Sequence, residues 1–480
     1  MRNTKKCLLY ALIGFVLCGA QAARADTPVV DPGFSYVDVN NDGMYSASDG
    51  DIQIPSGLIT DGKFDTGKSE PGYTAPCQPA SLVIPASQNL NVVGNLTLKA
   101  GVNIIINGTL AAPSITLDAG KNIDLTTASI TVENSLNVDA GKSGCGSQGD
   151  AILTGVTITG TSATSTVKVQ AEDIIGNQIT VGTNTLVAAV EAGASITLKA
   201  SDKVALDGAA LFAFAAPTTT TPGGAIKVTG KDVSVVDFSS LFSEGKTTVS
   251  AGCGDLDFST SSATGSSISL SADGDVNIQG SALDSAGKVT VKACGQVTGS
   301  ASTAINAGSL TVDGDCGVDL SDVAVISSPD AISIQSCGGA IKLDGASIIT
   351  AGGLAAHSYY DLSFTGLSLL ADHYAKFRSN CGAITGNNSS IRPFTAALTD
   401  TYLSVKAEQA ISATSVDWVA PASITVHSNC GNVDLTSSTL SATGLNAPLN
   451  LYAGGGTLIL TGSTLTGVLH IGPSGVNVIH

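Results

Sequence analysis

Aromatic residues are scarce in this chain: they make up 4% of its 480 residues, and only one of them is a tryptophan. Because 43% of the residues are nonetheless hydrophobic, a large core must be built from valine, isoleucine, leucine and alanine. Such a core suits the narrow interior of a solenoid better than a globule packed around aromatic rings.

Positive charge is also scarce. The chain has 39 acidic and 22 basic residues, a net charge of −17, and only Arg378 and Arg392 remain as arginines after residue 25. A negative field repels polyanions, so we expect no nucleic-acid partner and no polyanionic substrate unless a cation bridges the two. Bidentate anion contacts from arginine are restricted to the two remaining positions.

Long apolar runs are absent except at the start of the chain. Residues 1–25 combine a basic start, an apolar run over Cys7–Ala20 and the small-residue cleavage pattern Ala23-Arg24-Ala25. This pattern is typical of a secretory signal peptide. We therefore expect a protein that is secreted or on the outer cell surface, with the periplasm as an alternative. No later run is long enough for a membrane-spanning helix, so we expect no transmembrane segment after signal removal.

Short segments with alternating apolar residues recur throughout the chain. Between residues 247 and 343 they recur at intervals of 21, 21, 21 and 22 residues, at Thr247, Ile268, Val289, Leu310 and Ile332. A repeat of this length without a helical period predicts an all-β solenoid of stacked parallel strands. Equivalent positions run from Leu96 to Leu469, with Phe377 assigned to the column between Leu354 and Leu403, which gives about 17 coils within residues 90–480.

The repeat is absent from residues 26–89, which we expect to form a small irregular N-terminal module. Within it, alternating oxygen-bearing residues surround a glycine, with an acid at the twelfth position. The spacing resembles the EF-hand-type calcium loop of dockerins, and the alternative is a surface loop held by Asx-turns. The expected calcium ligands are Asp38, Asn40, Asp42, the carbonyl of Met44, and Asp49.

Eight cysteines remain after residue 25, and six of them lie just past the first strand of a coil. Cys294, Cys316 and Cys337 fall in consecutive coils, where a spacing of about 4.8 Å permits one disulfide among them. The other cysteines are separated by a coil, and we interpret several as small buried residues that fill a turn. Metal binding by this column is the alternative.

One sector, residues 357–402, concentrates polar and aromatic residues. A groove there would be lined by His357, Tyr359, Tyr360, Asp361, Asp372, His373, Arg378 and Arg392. An enzyme would use Asp361 or Asp372 as the acid or base and His373 as a proton shuttle, with tyrosines as a sugar platform. The alternative is that a wide coil needs larger side chains to cover its core.

From about Gly94 onward, coils such as Ser195-Ile196-Thr197-Leu198-Lys199-Ala200 resemble the repeats of filamentous-haemagglutinin-like large exoproteins. The resemblance implies a right-handed parallel β-helix with an adhesive or surface-structural role. Our hypothesis is a non-catalytic, adhesin-like bacterial rod with structural calcium and a glycan or protein surface, of a host or the environment, as partner. The alternative is a polysaccharide-acting β-helix enzyme or carbohydrate-binding protein that uses residues 357–402.

Overall fold

The computed structural model describes residues 31–55, 57–59, 62–70, 74–76, 78–141, 149–177, 180–183, 195–214, 224–393, 400–473 and 477–479. The expected signal peptide, Cys77 and Cys145 lie outside these ranges. The described chain is nearly all β, and its one helical element is the short 3-10 turn Ala47–Asp49. No helix in it is long and apolar enough to span a bilayer.

Each coil consists of three strands that lie on three faces of the rod. From the first-face strand Leu96–Ala100 the chain enters the short second-face strand Ile104–Ile106. It then forms the long strand Thr109–Ala119, whose first half lies on the third face and whose second half lies on the first face of the next coil. Strands therefore pair in parallel with their equivalents one coil away.

The strands of the stack have the following bounds. The first face holds Lys63–Asp65, Leu96–Ala100, Thr166–Ala171, Ser195–Ala200, Ala225–Gly230, Lys246–Ala251, Ser267–Ala272, Ile332–Ser336, Gly353–Ser358, Tyr374–Ser379, Tyr402–Ala407, Ser423–Ser428, Pro448–Ala453 and Val468–Gly472. Four strands span the third and first faces: Thr109–Ala119, Ser129–Ala140, Ala282–Ala293 and Ala304–Gly314. The third face also holds Asn89–Asn91, Thr157–Gly160, Thr180–Thr183, Ala210–Ala213, Ser240–Ser243, Ser262–Gly265, Val325–Ser328, Ser347–Thr350, Ser368–Ala371, Ser390–Arg392, Asp417–Val419, Thr439–Ser441 and Thr464–Thr466.

The second face is built from the shortest strands. They are Ser81–Ile84, Ile104–Ile106, Ile123–Asp124, Ala151–Ile152, Ile174–Asn177, Lys203–Asp207, Asp232–Val236, Leu256–Asp257, Val276–Asn277, Gln296–Thr298, Gly317–Asp319, Ile341–Lys342, Leu362–Ser363, Ile384–Thr385, Ile411–Ser412, Val433–Asp434, Thr457–Ile459 and Asn477–Ile479. Because several of them are only two residues long, most of the pairing between coils is made on the other two faces.

The pairing register confirms the repeat that the sequence predicts. Thr247 lies opposite Ile268, which lies opposite Val289, and the column continues through Leu310 and Ile332. All five side chains are buried. From Leu96–Ala100 onward, 17 first-face strands enclose about 16 turns, so the predicted parallel β-solenoid is confirmed.

Alternation of apolar and polar residues explains why these segments stack. In Ser195–Ala200 the side chains of Ile196, Leu198 and Ala200 are buried, whereas those of Thr197 and Lys199 face outward. Each buried Ile or Leu contributes about 1.5–3 kcal/mol relative to an exposed one. A shift of one residue would move every apolar side chain to the solvent side, so the register is strongly specified.

Parallel stacking extends N-terminally beyond its expected start near residue 90. Lys63–Asp65 pairs with Leu96–Ala100 on the first face, and Ser81–Ile84 pairs with Ile104–Ile106 on the second. A further strand, Tyr36–Asp38, pairs antiparallel with Ser81–Ile84 and with Ile52–Gln53. These two strands cover the N-terminal edge of the second face, which would otherwise expose unpaired backbone groups.

A cluster of aromatic side chains fills the core near the C-terminal third of the rod. Phe364 stacks on Phe377 with ring centroids 4.2 Å apart, and the ring of Trp418 lies 6.1 Å from Phe364. The indole Nε1 of Trp418 donates to Oγ of Ser389 at 3.0 Å, so its polar group is satisfied inside the core. Gly386 leaves room for Phe364, since a Cβ there would lie 2.2 Å from its ring.

One predicted column position is shifted by two residues in this region. We assigned Phe377 to the column of first-strand residues, but Ala375 lies opposite Leu354, and Phe377 lies opposite Ala356. Both Ala375 and Phe377 point inward, because residues two apart in a strand share a face. The sequence pattern therefore located the strand but not its register.

Removal of one ring from the aromatic cluster should destabilise the rod. We expect Phe364→Ala to lower the free energy of unfolding by about 3–5 kcal/mol, since it leaves a cavity beside Phe377 and Trp418. Urea unfolding followed by the fluorescence of Trp418 measures this loss. The matched control is Phe238→Ala, because Phe238 is 87% exposed and its loss should change stability by less than about 0.5 kcal/mol. Similar effects of the two substitutions would contradict the core assignment.

Candidate functional site

The loop that follows Tyr36–Asp38 is organised around the buried carboxylate of Asp38. Its Oδ1 accepts a hydrogen bond from the N–H of Asn41 at 2.6 Å, and its Oδ2 accepts one from the N–H of Gly43 at 2.8 Å. Gly43 has a φ of 82°, a left-handed conformation that favours glycine. The loop therefore contains the sharp turn that the sequence predicts at this position.

The next two predicted ligands also fold onto the loop. The Oδ1 of Asn40 accepts from the N–H of Asp42 at 3.2 Å, and the Oδ1 of Asp42 accepts from the N–H of Met44 at 2.9 Å. Asn40, Asp42 and Met44 are exposed. These contacts are the Asx-turns of the alternative interpretation, and they also orient carboxylate and amide oxygens around one short loop.

The acid that folds back onto the loop is Asp51 rather than Asp49. Asp49 is exposed in the 3-10 turn, whereas Asp51 is buried just before Ile52–Gln53. The two carboxylate oxygens of Asp51 accept from the N–H groups of Val39 at 2.9 Å and Ser46 at 2.8 Å. The twelve-residue spacing pointed to Asp49, and the only sequence signal for Asp51 is its place next to a strand.

Burial is the main cause that raises the pKa of Asp38, and the carboxylates of Asp51 and Asp42 add to it. Within the described chain, no basic side chain forms an ion pair with any of the three. A carboxyl group with a raised pKa stabilises the fold at low pH, and this contribution is lost as the pH rises through the raised pKa. The carboxylate oxygens of Asp38, Asp42 and Asp51 do not all lie within 4.8 Å of one another. At neutral pH a divalent cation that drew them together would offset this cost, so calcium stays a prediction for this loop.

Six described cysteines lie in the turns that follow first-face strands. None of them forms a disulfide with another described residue, and all except the half-buried Cys381 are exposed: Cys253, Cys294, Cys316, Cys337, Cys381 and Cys430. Our interpretation of several of them as small buried residues is therefore wrong. After a first-face strand the chain leaves the core, and the following side chains point into solvent.

The disulfide expected among Cys294, Cys316 and Cys337 is not formed in this structure. Cys294 directly follows Ala293, whereas Cys316 comes two residues after Gly314, the residue opposite Ala293. Because of this offset, Sγ of Cys316 lies 3.5 Å from the carbonyl oxygen of Cys294 rather than against its thiol. The expectation placed all three cysteines at one position of the turn, which the register does not bear out.

One group of described residues that includes a cysteine could hold a metal ion. Ligand atoms of Asp313, Asp315 and Cys337 lie within 4.8 Å of one another. However, Oδ2 of Asp313 lies 3.3 Å from Nζ of Lys292, so this carboxylate already has a basic neighbour. The group is open to solvent on the Cys337 side.

The eight residues expected to line one groove are distributed around the rod. His357 and Arg378 are neighbours on the outward side of the first face. The others lie at the corners or on the third face: Tyr359, Tyr360 and Asp361 after the first face, Asp372 and His373 before it, and Arg392 on the third face beside Asp417. A coil passes all three faces within about 20 residues, so side chains close in sequence point in different directions.

The two candidate catalytic acids do not converge. Asp361 follows the first-face strand Gly353–Ser358, whereas Asp372 precedes the next one, Tyr374–Ser379. The width of a six-residue strand, on the order of 20 Å, therefore separates them. Asp361 accepts from the N–H of Ala383 at 2.8 Å, which is a turn contact.

The side chains near these acids form local pairs. Nδ1 of His373 lies 3.6 Å from Oδ2 of Asp400, which orients its imidazole toward solvent-exposed carboxylate. Tyr359 and Tyr360 pack edge to face with ring centroids 5.0 Å apart and are 41% and 44% exposed. The exposed rings offer an apolar surface to a ligand, but His373 lies at the opposite corner of the first face.

A basic and aromatic surface lies between these corners, and the sequence analysis did not identify it. It is the outward side of five first-face strands, Gly353–Ser358, Tyr374–Ser379, Tyr402–Ala407, Ser423–Ser428 and Pro448–Ala453, which we call the basic face. None of these strands contains an acidic residue. Its column of registered neighbours is His357, Arg378, Lys406, His427 and Tyr452. Alignment of outward positions between coils would have revealed it.

Two histidines of this column have different environments. Burial, and then the nearby charge of Lys406, lower the pKa of His427, so it is neutral at neutral pH. Its ring packs on Tyr452 with centroids 4.3 Å apart. Nε2 of His357 is buried and has no hydrogen-bond partner within the described structure. The permanent cations of the basic face are therefore Lys376, Arg378 and Lys406.

We expect calcium to stabilise the N-terminal loop through Asp38 and Asp51. At about 100 times its dissociation constant, calcium would stabilise the folded state by about 2.7 kcal/mol. Thermal unfolding with calcium and with chelator should show this shift in the unmodified protein and lose it in Asp38→Asn and Asp51→Asn. The matched control Asp49→Asn should keep it. A shift that depends on Asp49 but not on Asp51 would contradict the role of Asp51.

Thiol labelling should distinguish the cysteines in the folded, unreduced protein. We expect Cys253, Cys294, Cys316, Cys337 and Cys430 to react without reductant, as measured by peptide mass spectrometry. A hydrogen bond to Glu408 raises the pKa of the Cys430 thiol, so Glu408→Gln should accelerate its reaction. Reaction at Cys253 serves as the internal control. A peptide that joins Cys294 to Cys316 or Cys337 would contradict the absence of a disulfide among these described cysteines.

The parallel solenoid is what the structure establishes about this chain. No family model matches the sequence, and neither a curated protein nor a solved structure matches it. The resemblance of its coils to filamentous-haemagglutinin-like exoproteins, and of its loop to dockerins, therefore rests on the residues quoted above and stays a prediction.

Proposed function

We propose that this protein is a secreted or surface-exposed, non-catalytic binding rod, similar to an adhesin, with a structural calcium ion in its N-terminal loop. The observation that supports binding most directly is the basic face. It is an open, ordered surface on which side chains from five successive coils lie in register. A ligand that extends along the rod axis would contact several coils at once.

Catalysis is less well supported than binding. The acids that a glycosidase needs on either side of a bond are about 5–10 Å apart, whereas Asp361 and Asp372 lie at opposite corners of the first face. The exposed rings of Tyr359 and Tyr360 favour a carbohydrate-binding surface over a hydrolytic site. A glycan or a protein surface of a host or of the environment is the proposed partner.

The rod also has a shallow groove of about 610 Å³ at the corner between the third and first faces. Glu244, Asp284 and Asn306 are among its lining residues, and the amide of Asn306 donates to Asp284 at 2.8 Å. Carboxylates dominate its charged groups, in contrast to the basic face. The proposed binding surface is therefore the basic face rather than this groove.

Calcium in the proposed function is structural. The loop around Asp38 and Asp51 packs on the N-terminal end of the rod through Tyr36–Asp38, whereas the basic face begins at Gly353. Burial and nearby carboxylates also raise the pKa of Tyr36, so its hydroxyl stays protonated and donates to the carbonyl of Gly43 at 2.9 Å. A cation would complete an already ordered loop.

A panel of immobilised glycans and matrix proteins tests this function. We expect the unmodified protein to bind at least one of them and to release no reducing ends or unsaturated products from any bound polysaccharide. A chelator should lower the unfolding temperature and leave binding unchanged, because the loop and the basic face are far apart in the chain. Absence of binding to every member, or turnover of a bound polysaccharide, would overturn the proposal.

A further inference from the structure

The charges on most of the rod follow a simple rule. Where a lysine on one coil has a registered charged neighbour, that neighbour is an acid: Nζ of Lys99 lies 2.8 Å from Asp118, and Nζ of Lys342 lies 3.3 Å from Asp319. Opposite charges at the strand spacing of about 4.8 Å stabilise the stack. The rule concerns the lysines, since an acid also lies opposite an acid where Asp139 is registered with Asp118.

The basic face breaks this rule. Arg378 lies directly opposite Lys406, both are exposed, and neither forms an ion pair with a carboxylate that the structure describes. The column continues with His357 on one side and His427 on the other. Like charges at directly opposite positions destabilise a sheet, so this arrangement costs stability unless an anion lies over it.

A third cation is held beside two aromatic rings. Nζ of Lys376 lies 4.7 Å from the ring centroid of Tyr374 and 5.3 Å from that of Tyr402. The two rings are stacked, 6.0 Å apart with an interplanar angle of 27°. The ring of Tyr374 also covers Gly353, where a Cβ would lie 2.5 Å from it. The rings and the cation form a fixed platform at one edge of the basic face.

Four acids lie close in sequence to these strands, at the corners of the face: Asp361 and Asp372, described above, and Asp400 and Glu408, which have partners of their own. Asp400 lies 3.6 Å from His373 at one corner. At the other, Glu408 accepts a hydrogen bond from the amide of Asn429 at 2.6 Å and contacts the thiol of Cys430. Beyond about 8 Å, physiological salt screens the remaining negative charge of the protein. The outward side of these strands therefore has basic side chains and no acidic ones of its own.

We propose that the basic face binds an acidic polysaccharide, whose carboxylate or sulfate groups contact Arg378, Lys406 and Lys376 while a sugar ring packs on Tyr374 and Tyr402. The proposal rests on the binding function given above. Arginine presents a fork of donors to a planar or tetrahedral anion, and lysine adds point charges. The tyrosines supply an apolar surface that a neutral stretch of the polymer covers.

The arrangement of the cations favours a polymer of low charge density. Five strands at about 4.8 Å spacing give the face a length of about 19 Å, over which it offers three permanent cations. Duplex DNA has a charge every 1.7 Å or so along its axis, far more than three cations neutralise, and the net charge of −17 opposes its approach. The exclusion of nucleic acid therefore stays a prediction, and our proposal departs from the exclusion of polyanionic ligands only for an acidic glycan.

Binding to immobilised, sparsely sulfated dextran sulfate, to alginate of similar charge density and to neutral dextran, measured in chelator to exclude calcium bridges, tests the proposal. We expect the unmodified protein to bind at least one acidic polymer and not dextran. Preference for dextran sulfate identifies sulfate as the recognised group, and preference for alginate identifies carboxylate. We expect the double variant Arg378→Ala, Lys406→Ala to bind at least about tenfold more weakly.

The matched control is Lys199→Ala, Lys227→Ala, which removes two outward first-face lysines on neighbouring coils away from the basic face. It has the same net charge as the test variant, so it should bind almost as well as the unmodified protein. Trp418 fluorescence checks that both variants are folded. Three results would each overturn the proposal: an equal loss of affinity in the two variants, binding to neutral dextran as tight as to the acidic polymers, or an affinity for a single-stranded oligonucleotide equal to that for the acidic polymers. Binding to neutral dextran and to neither acidic polymer would overturn the acidic ligand but leave the wider binding function intact.

Discussion

The register between successive coils is the constraint on which the rest of the structure depends. Each coil contributes an inward column of apolar side chains, and each strand pairs with the equivalent strand of the next coil. Neither contribution is available to a single coil, because its apolar side would face water. Once the register is set, every outward position is also aligned, so a surface property is fixed by which residues occupy equivalent positions in several coils.

This constraint explains why the fold was predictable from the sequence. The intervals between Thr247, Ile268, Val289 and Leu310 equal the spacing of registered neighbours, since each residue lies opposite the next. Inward positions tolerate few residue types, so the repeat is visible there. The prediction failed by two residues at Phe377, because Ala375 and Phe377 both point inward and the larger interval after Tyr374–Ser379 hides which of them continues the column.

The candidate sites were less predictable, for physical reasons that differ. Asp51 reaches the loop around Asp38 because the strand Ile52–Gln53 pairs with Tyr36–Asp38, a contact that ligand spacing does not encode. The cysteines differ by one position within a turn, and that difference decides the direction of each thiol. The groove predicted at residues 357–402 relied on closeness in sequence, yet a coil that turns through three faces directs neighbouring residues to different sides.

In such a fold, one face can have a charge opposite to the net charge of the chain. The chain is strongly acidic, yet many of its carboxylates are held in turns and at corners, where Asp361 and Asp275 accept backbone hydrogen bonds from the next coil. The outward positions of a face are free of this structural role and vary independently. Lys406 can therefore stand opposite Arg378 in a chain of net charge −17 without disturbing the core. The partner of a solenoid is thus better inferred from columns of registered outward residues than from composition, since the ligand meets the column and salt screens the rest.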